Sequence, residues 1–196
     1  MSRPPAPGSL ERVRQFINTL DLDADRDAFR APDDARAWLT KHGLSASGDL
    51  DGAGLGRLVA FREDLRQLIA ARSESLAVAD DTLRSLAQFA QLAPLTVGFG
   101  PDGNARLEPA RGSDAAMAAL FVDVATAVGG GSWARLKVCA NDACQWAFWD
   151  ASRNRSGVWC TMAVCGNRMK GRAFRARARR GAQAKQSGSA THRAPA

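Results

Sequence analysis

The sequence predicts an α+β protein: a mainly helical N-terminal domain with a small β-hairpin, then a C-terminal cysteine-rich module and a basic helix. Three observations support this fold class. Apolar residues recur at helical spacing through most of the first 130 residues. An Asp-Gly turn at 102–103 separates two β-prone runs. All four cysteines lie between residues 139 and 165, as two pairs with the spacing C-x4-C.

Charge divides the 196-residue chain into two unequal parts. Residues 1–150 contain 16 Lys and Arg against 20 Asp and Glu, a balance of −4, whereas residues 151–196 contain 11 Lys and Arg and no acidic residue. An acid-free basic block of this kind is typical of a segment that binds phosphate or another polyanion. No apolar run reaches the length of a membrane span, so we expect no membrane association.

The helical elements follow in order along residues 9–131. Leu10, Val13, Phe16 and Ile17 predict a first helix that Ser9 begins. The acidic run 21–27 lacks the glycine and distal glutamate of a calcium loop, and we interpret it as a connector. Further helices are predicted over about 32–42, from about 55 to 72 as the longest of the chain, from 80 to before Pro94, and from Ser113 to the glycines at 129–131.

Four regions are expected from this pattern. The Pro-rich residues 1–8 are predicted to be disordered, 9–131 to form the helical domain, 135–180 to form the cysteine-rich module, and 181–196 to be a disordered tail; a sensing or assembly role for 9–131 is implied only by the family resemblance given below. The boundary is placed between residues 129 and 134, where three glycines precede Trp133.

Cys139, Cys144, Cys160 and Cys165 are the predicted ligands of one structural zinc ion per chain. Disulfides and four unrelated thiols are the alternatives, but the N-terminus has no apolar export segment, so we expect a reducing, cytoplasmic location. Four thiolates close the coordination shell, which is typical of a structural site. Between the pairs, the runs 145–149 and 158–160 predict a β-hairpin, so the module is expected to be zinc-ribbon-like.

The stretch CANDACQWAFWDASRNRSGVWCTMAVCGNRMKGRAFRARAR resembles the CGNR zinc finger, named for the tetrapeptide at Cys165–Arg168. That finger occurs at the C-terminus of bacterial proteins with an ABATE domain, which are regarded as stress-induced transcription regulators with the finger as the DNA-binding part. The family commonly has basic residues after the SRNRS turn, where this chain has Gly157 and Val158. The resemblance therefore implies a hairpin tip that contributes less charge to phosphate contacts.

The N-terminal region is similar to the ABATE domain through FINTLD, APDDARAWLTKHGL and FREDLRQLIA. The resemblance implies a mixed α/β domain that senses or binds a ligand, with polar positions of interest at Asn18, Thr19, Arg62 and Glu63. The residues themselves leave an alternative open, in which the Asn-Thr pair ends a helix and the Arg-Glu pair is a solvated face.

The basic helix after the finger carries Arg168, Arg172, Arg175 and Arg179 at spacings of four, three and four residues, which places them on one face. The expected nucleic-acid contacts, most naturally to double-stranded DNA, are Arg153, Arg155, Arg168, Lys170, Arg172, Arg175 and Arg179.

The sequence leaves other function classes to consider beside DNA binding. RNA binding could use Trp146, Trp149 and Trp159 as stacking platforms, although core packing is the more usual role of such residues in a small module. A solvated tail, an acidic protein partner and an anionic membrane surface are further interpretations of the basic helix, although its apolar face is small for a membrane surface. No catalytic constellation is present in the sequence, so we do not expect an enzyme. The ligand, the target sequence and a possible homo-oligomer stay open.

Overall fold

The computed structural model describes residues 3–45 and 50–189 of the chain. In chain order the helices and strands are α1 (Leu10–Ile17), β1 (Leu20–Asp21), β2 (Arg26–Asp27), α2 (Pro32–Lys41), α3 (Gly52–Ser73), α4 (Asp80–Leu92), β3 (Leu95–Phe99), β4 (Ala105–Pro109), α5 (Ala115–Gly129), β5 (Leu136–Val138), β6 (Ala147–Trp149) and α6 (Asn167–Ser189). A 3-10 turn precedes β5, and a π-helical turn, Met162–Gly166, precedes α6. The fold is α+β, as the sequence predicts.

Side-chain caps explain where two of the helices start. The Asp51 carboxylate accepts a hydrogen bond from the Gly54 backbone N–H at 2.7 Å and begins α3. Asp114 accepts from the Met117 N–H at 3.1 Å and begins α5. In α2, Pro32 occupies the first turn, where its missing N–H costs nothing.

The main hydrophobic core lies between α1, α3 and α5. Phe16 and Phe61 are fully buried, with ring centroids 5.9 Å apart, and Phe61 also lies 4.9 Å from Phe121. The same core takes in Leu136 and Val138 of β5 and Ala147 of β6. The parts of the chain before and after residues 129–134 therefore share one continuous core. The domain boundary placed at these residues stays a prediction.

Each of the three sheets in the described residues has two antiparallel strands. Strands β3 and β4 form the predicted hairpin around the Asp-Gly turn, with Val97 opposite Leu107 and Phe99 opposite Ala105. The acidic run folds as a second hairpin, β1–β2, consistent with its interpretation as a connector. No helix among the described residues is long and apolar enough to cross a membrane.

The hairpin predicted between the two cysteine pairs is wrong. Strand β6 pairs with β5, Leu136 opposite Trp149, so the hairpin encloses the first cysteine pair, and residues 158–160 form no strand. The returning segment makes a backbone hydrogen bond from Ala140 N–H to Val158 O instead. The sequence shows that residues 145–149 and 158–160 are β-prone, but it does not show that the first run pairs with β5 and not with the second run. Here β5 lies beside β6 because it is anchored in the main core.

Two further differences concern the ends of the chain and helix length. Helix α6 has 23 residues against 22 for α3, so α3 is not the longest. It continues past Gly181 to Ser189, where the sequence predicts disorder, and residues 190–196 lie outside the described residues. At the other end, Ala6 is 6% exposed and its N–H donates to Glu11, so the described part of residues 1–8 is in contact with the body.

Candidate metal centre and nucleic-acid interface

The four cysteines meet at one point although they come from four separate turns. Cys139 follows β5, Cys144 closes the next turn, Cys160 lies in the returning segment, and Cys165 lies in the π-helical turn before α6. Their Sγ atoms all lie within 4.8 Å of one another, and those of Cys144 and Cys165 are each 3.6 Å from Cys160. A tetrahedral site with zinc–sulfur bonds of 2.3 Å requires sulfur–sulfur distances of about 3.8 Å.

The protonation of these thiols shows what the site needs. Hydrogen bonds with Cys139 and Cys144, together with burial, raise the pKa of Cys160 far above its ordinary value. The pKa of Cys144 rises to about 12, chiefly through Cys139, whereas hydrogen bonds from Cys144 and Cys160 lower the pKa of Cys139 to about 2. Without a cation, the thiolate form of Cys139 is stabilised, whereas the thiolate forms of Cys144 and Cys160 are destabilised. A dication removes that conflict because it stabilises all four thiolates together. The arrangement fits one structural zinc per chain.

Asn141 links this cluster to the basic helix. It is fully buried, its Nδ2 donates to Cys165 Sγ at 3.6 Å, and its Oδ1 accepts from Arg172 Nη1 at 3.4 Å. Hydrogen bonds to a metal-bound sulfur orient the ligand and tune its basicity. The first cysteine turn therefore fixes both the last ligand and one arginine of α6.

Asp150 organises the loop that carries Arg153 and Arg155. The buried carboxylate accepts from Ser152 Oγ at 2.7 Å and from the Gly157 N–H at 2.7 Å, and it pairs with Lys137 Nζ at 2.9 Å. Burial alone would raise its pKa, but these donors outweigh burial and hold the pKa of Asp150 well below its usual range. A permanently charged anchor thus keeps the loop in place, and both arginines of the loop stay exposed to solvent.

The basic face of α6 is exposed. Arg168, Lys170, Arg172, Arg175 and Arg179 are all exposed, as expected of candidate contacts, and the helix starts two residues after the last cysteine. Arg168 pairs with Asp23 of the β1–β2 turn, and both side chains stay about half exposed. That pair raises the pKa of the Arg168 guanidinium.

The four polar residues of the ABATE resemblance lie together where α1 and α3 meet the finger. Asn18 Nδ2 donates to Ala147 O at 2.9 Å and its Oδ1 accepts from Ala147 N–H at 2.8 Å, which copies the pairing of a β-strand. Arg62 is 1% exposed, binds both carboxylate oxygens of Asp27 at 2.7 and 3.0 Å, and also contacts Thr19 Oγ1 and Glu63. All four therefore have a structural role, and ligand binding by them stays a prediction.

Sequence reasoning missed two arginines that carry the connection between α3 and the finger. Arg66, 1% exposed, donates to Ile17 O and Gln145 O, both at 2.7 Å. Arg72 donates to Trp133 O at 2.7 Å and to Leu136 O. For Arg66 the signal was present, because it lies one turn after Arg62 and two turns after buried Leu58 on the same face of α3.

Comparison with protein families agrees with this geometry. Fold and site define a helical domain that carries a structural zinc finger. The chain belongs to the ABATE family, described as "Putative stress-induced transcription regulator", whose model matches residues 11–143, more than half of the chain. Residues 135–178 match the CGNR zinc finger. The two matches overlap at β5 and Cys139, where core and finger join. No curated protein matches the chain.

Proposed function

We propose that this protein is a DNA-binding transcription regulator of the cytoplasm and not an enzyme. The finger holds α6 against duplex DNA, and the N-terminal domain passes a signal to it. The single observation that carries the proposal is the exposed face of Arg168, Arg172, Arg175 and Arg179 on a helix that starts at the metal site. No acidic residue occurs anywhere in 151–196 to neutralise that face.

The spacing of the stripe suits a phosphate backbone. At 100° per residue, steps of four, three and four residues keep these arginines within an arc of about 60°. Seven Lys and Arg residues crowd positions 168–180, and like charges at this spacing repel one another on an isolated helix. A polyanion relieves the repulsion and releases its own condensed counterions, which supplies affinity.

Two contacts within the chain set the direction in which α6 leaves the body. Arg172 is held by buried Asn141, and Arg168 is held by exposed Asp23. An exposed ion pair contributes little to stability, so a DNA phosphate can replace Asp23 at low cost. Arg175 and Arg179 have no ion pair among the described residues and are free to meet phosphates at once.

The positions of the three tryptophans favour a role in core packing over a role in base stacking. Trp149 packs against the main core, and Trp146 and Trp159 pack against the cysteine cluster, all three partly buried. Single-stranded RNA is therefore the weaker candidate, and it serves as a comparison ligand in the test.

The test measures how salt weakens binding to duplex DNA. Arg172→Ala with Arg175→Ala should weaken binding to every sequence and flatten the slope of log K against log salt by up to about 2, because each duplex phosphate contact contributes about 0.9. A matched control replaces exposed Arg84 and Arg111 by Ala, which removes the same charge from the N-terminal domain. We expect that control to leave the slope unchanged.

Two outcomes would contradict the proposal. Equal slopes for the two double variants, with zinc still bound, would make the stripe a solvated face or a surface for a protein. Tighter binding of single-stranded RNA than of duplex DNA, lost on removal of residues 135–180, would assign the finger to RNA.

The sensing part of the proposal rests on the connection between α3 and the finger. Gln145, whose carbonyl Arg66 holds, is the residue after Cys144. A ligand or partner that displaces α3 would therefore move the first cysteine turn directly.

A further inference from the structure

A cleft opens onto the metal site from the side of the N-terminal domain. Its volume is about 540 Å³, within the range of small-molecule pockets. Three of the four cysteines, Cys144, Cys160 and Cys165, line it together with Trp146, Phe148 and Val164. Four cysteine ligands close the coordination shell of the metal, and the cleft brings open space up to three of the four cysteines.

Cys160 is the one residue of the four cysteines that is partly exposed, although the ligand atoms of all four are buried. Cys139, Cys144 and Cys165 are between 1% and 6% exposed, whereas Cys160 is partly exposed. The Sγ atoms of Cys144 and Cys165 each lie 3.6 Å from Cys160 Sγ. Because a disulfide bond is about 2.05 Å long, an approach of about 1.5 Å joins Cys160 to either neighbour. A cysteine that lines an open cleft, with a second thiol close by, is the arrangement of a redox-reactive pair.

The charges of the cleft indicate what kind of molecule enters it. Arg3, Arg14, Asp21 and Asp23 all line it, so the formal charges of these four side chains cancel. The remaining wall is largely apolar, with Trp146, Phe148 and Val164. A small uncharged oxidant meets no electrostatic barrier there.

We propose that Cys160 is a modification site for hydrogen peroxide and small uncharged hydroperoxides, which reach it through this cleft. The Cys160 thiolate attacks one peroxide oxygen, so that an S–O bond forms and the O–O bond breaks; hydroxide leaves from hydrogen peroxide, and the corresponding alkoxide leaves from a hydroperoxide. Cys144 or Cys165 then attacks the sulfur of the resulting sulfenic acid, a disulfide forms, and hydroxide leaves. Two thiolates are oxidised by two electrons, and hydrogen peroxide is reduced to two hydroxide ions, or a hydroperoxide to one alkoxide and one hydroxide.

The disulfide removes two of the four anionic ligands, so the remaining pair holds a dication weakly and zinc is released. Helix α6 begins at this site and is tied to it through Asn141, so oxidation also frees the basic helix. The inference goes beyond the proposed DNA binding and is tested without DNA.

The experiment follows zinc release from the reduced, zinc-loaded full-length protein with a chromogenic chelator after addition of hydrogen peroxide. We expect about one zinc per chain to be released, and peptide mapping after alkylation to find a disulfide that contains Cys160. Reduction followed by added zinc should restore the starting state. Chelator without peroxide gives the background rate.

Access through the cleft is tested by a pair of matched substitutions. Val164 lines the cleft and is 43% exposed, whereas Val158, 48% exposed, lies on the finger outside it. Val164→Trp narrows the cleft and should slow peroxide-driven zinc release by about threefold or more, because susceptibility follows access. Val158→Trp should react at the wild-type rate.

Each of three outcomes would overturn the proposal. These are no zinc release above background, a disulfide that excludes Cys160, and equal slowing or no slowing in both tryptophan variants. Because neither variant changes a ligand or a buried residue, both are expected to fold and to bind zinc.

Discussion

The N-terminal helices and the finger have different kinds of core. Helices α1, α3 and α5 bury Phe16, Phe61 and many aliphatic side chains, which stabilise the fold by about 25 cal/mol per Å² of apolar surface. The finger buries three cysteines beside partly buried Trp146 and Trp159. Its stability must therefore come mainly from the metal and from its attachment to the helices. The two regions should therefore unfold under different perturbations.

The two regions also differ in how they use arginine. On α3, Arg62 and Arg66 are buried and fully engaged with carboxylates and carbonyl oxygens. On α6, Arg175 and Arg179 are exposed. Arg66 fastens the inner side of the finger through Gln145 O, and that attachment leaves the outer side free for an anionic partner.

Metal removal should separate the two regions most sharply. Chelation of the zinc should abolish protease resistance after Gly131 while the helical circular dichroism of residues 10–129 is largely kept, because structural zinc supplies roughly 10 kcal/mol or more of folding free energy. Limited trypsin digestion with mass spectrometry measures this. A finger that stays resistant after complete zinc removal would show that its attachment to α3 suffices.

Loss of the buried connection should have the next largest effect. Arg66→Ala leaves Ile17 O and Gln145 O without a donor and should lower the free energy of unfolding by about 3 kcal/mol, since each unsatisfied buried group costs about 1–3 kcal/mol. Exposed Arg84, paired only with Asp81 on α4, is the matched control, and its change to Ala should cost less than about 0.5 kcal/mol. Urea denaturation of both variants measures the two losses in free energy of unfolding. Equal losses would contradict a structural role for Arg66.

The smallest effect is expected at the finger's buried carboxylate. Asp150→Asn should cost about 2 kcal/mol at neutral pH, because hydrogen bonds to a charged group contribute about 1.5–3 kcal/mol. The folded protein lowers the pKa of Asp150 below its ordinary value of 3.8. Its contribution is therefore present above pH 4 and is lost as the pH falls through the folded pKa.

The difference in stability between wild type and Asp150→Asn should thus shrink as the pH falls below about 4. Asp142→Asn, an exposed change in the same module, serves as control and should show no such pH dependence. A constant difference from pH 7 down to pH 3 would mean that the amide replaces the carboxylate without loss of charge-assisted bonding.

Local patterns in the chain were sufficient to predict the helices and the zinc ligands. Leu10, Val13, Phe16 and Ile17 are buried in α1 as their spacing predicts, and the four cysteines do converge. Pairing of strands was not predictable in the same way, because a strand's partner depends on which neighbour the core holds beside it. Leu136 and Val138 belong to the main core, which holds β5 in place. Strand β6 therefore pairs with β5 and not with the returning segment at 158–160.

Helical spacing, the separation of charge, the two cysteine pairs and the basic stripe can all be read from the chain alone, because each depends on residues close together in it. The tertiary structure alone decided that Asn18 and Arg66 bind Ala147 and Gln145, and that Asp23 reaches Arg168. It also decided that a cleft exposes Cys160. These pairs are 79 to 145 residues apart, and their contacts exist only because packing of α1 and α3 against β5 and β6 brings distant backbone together.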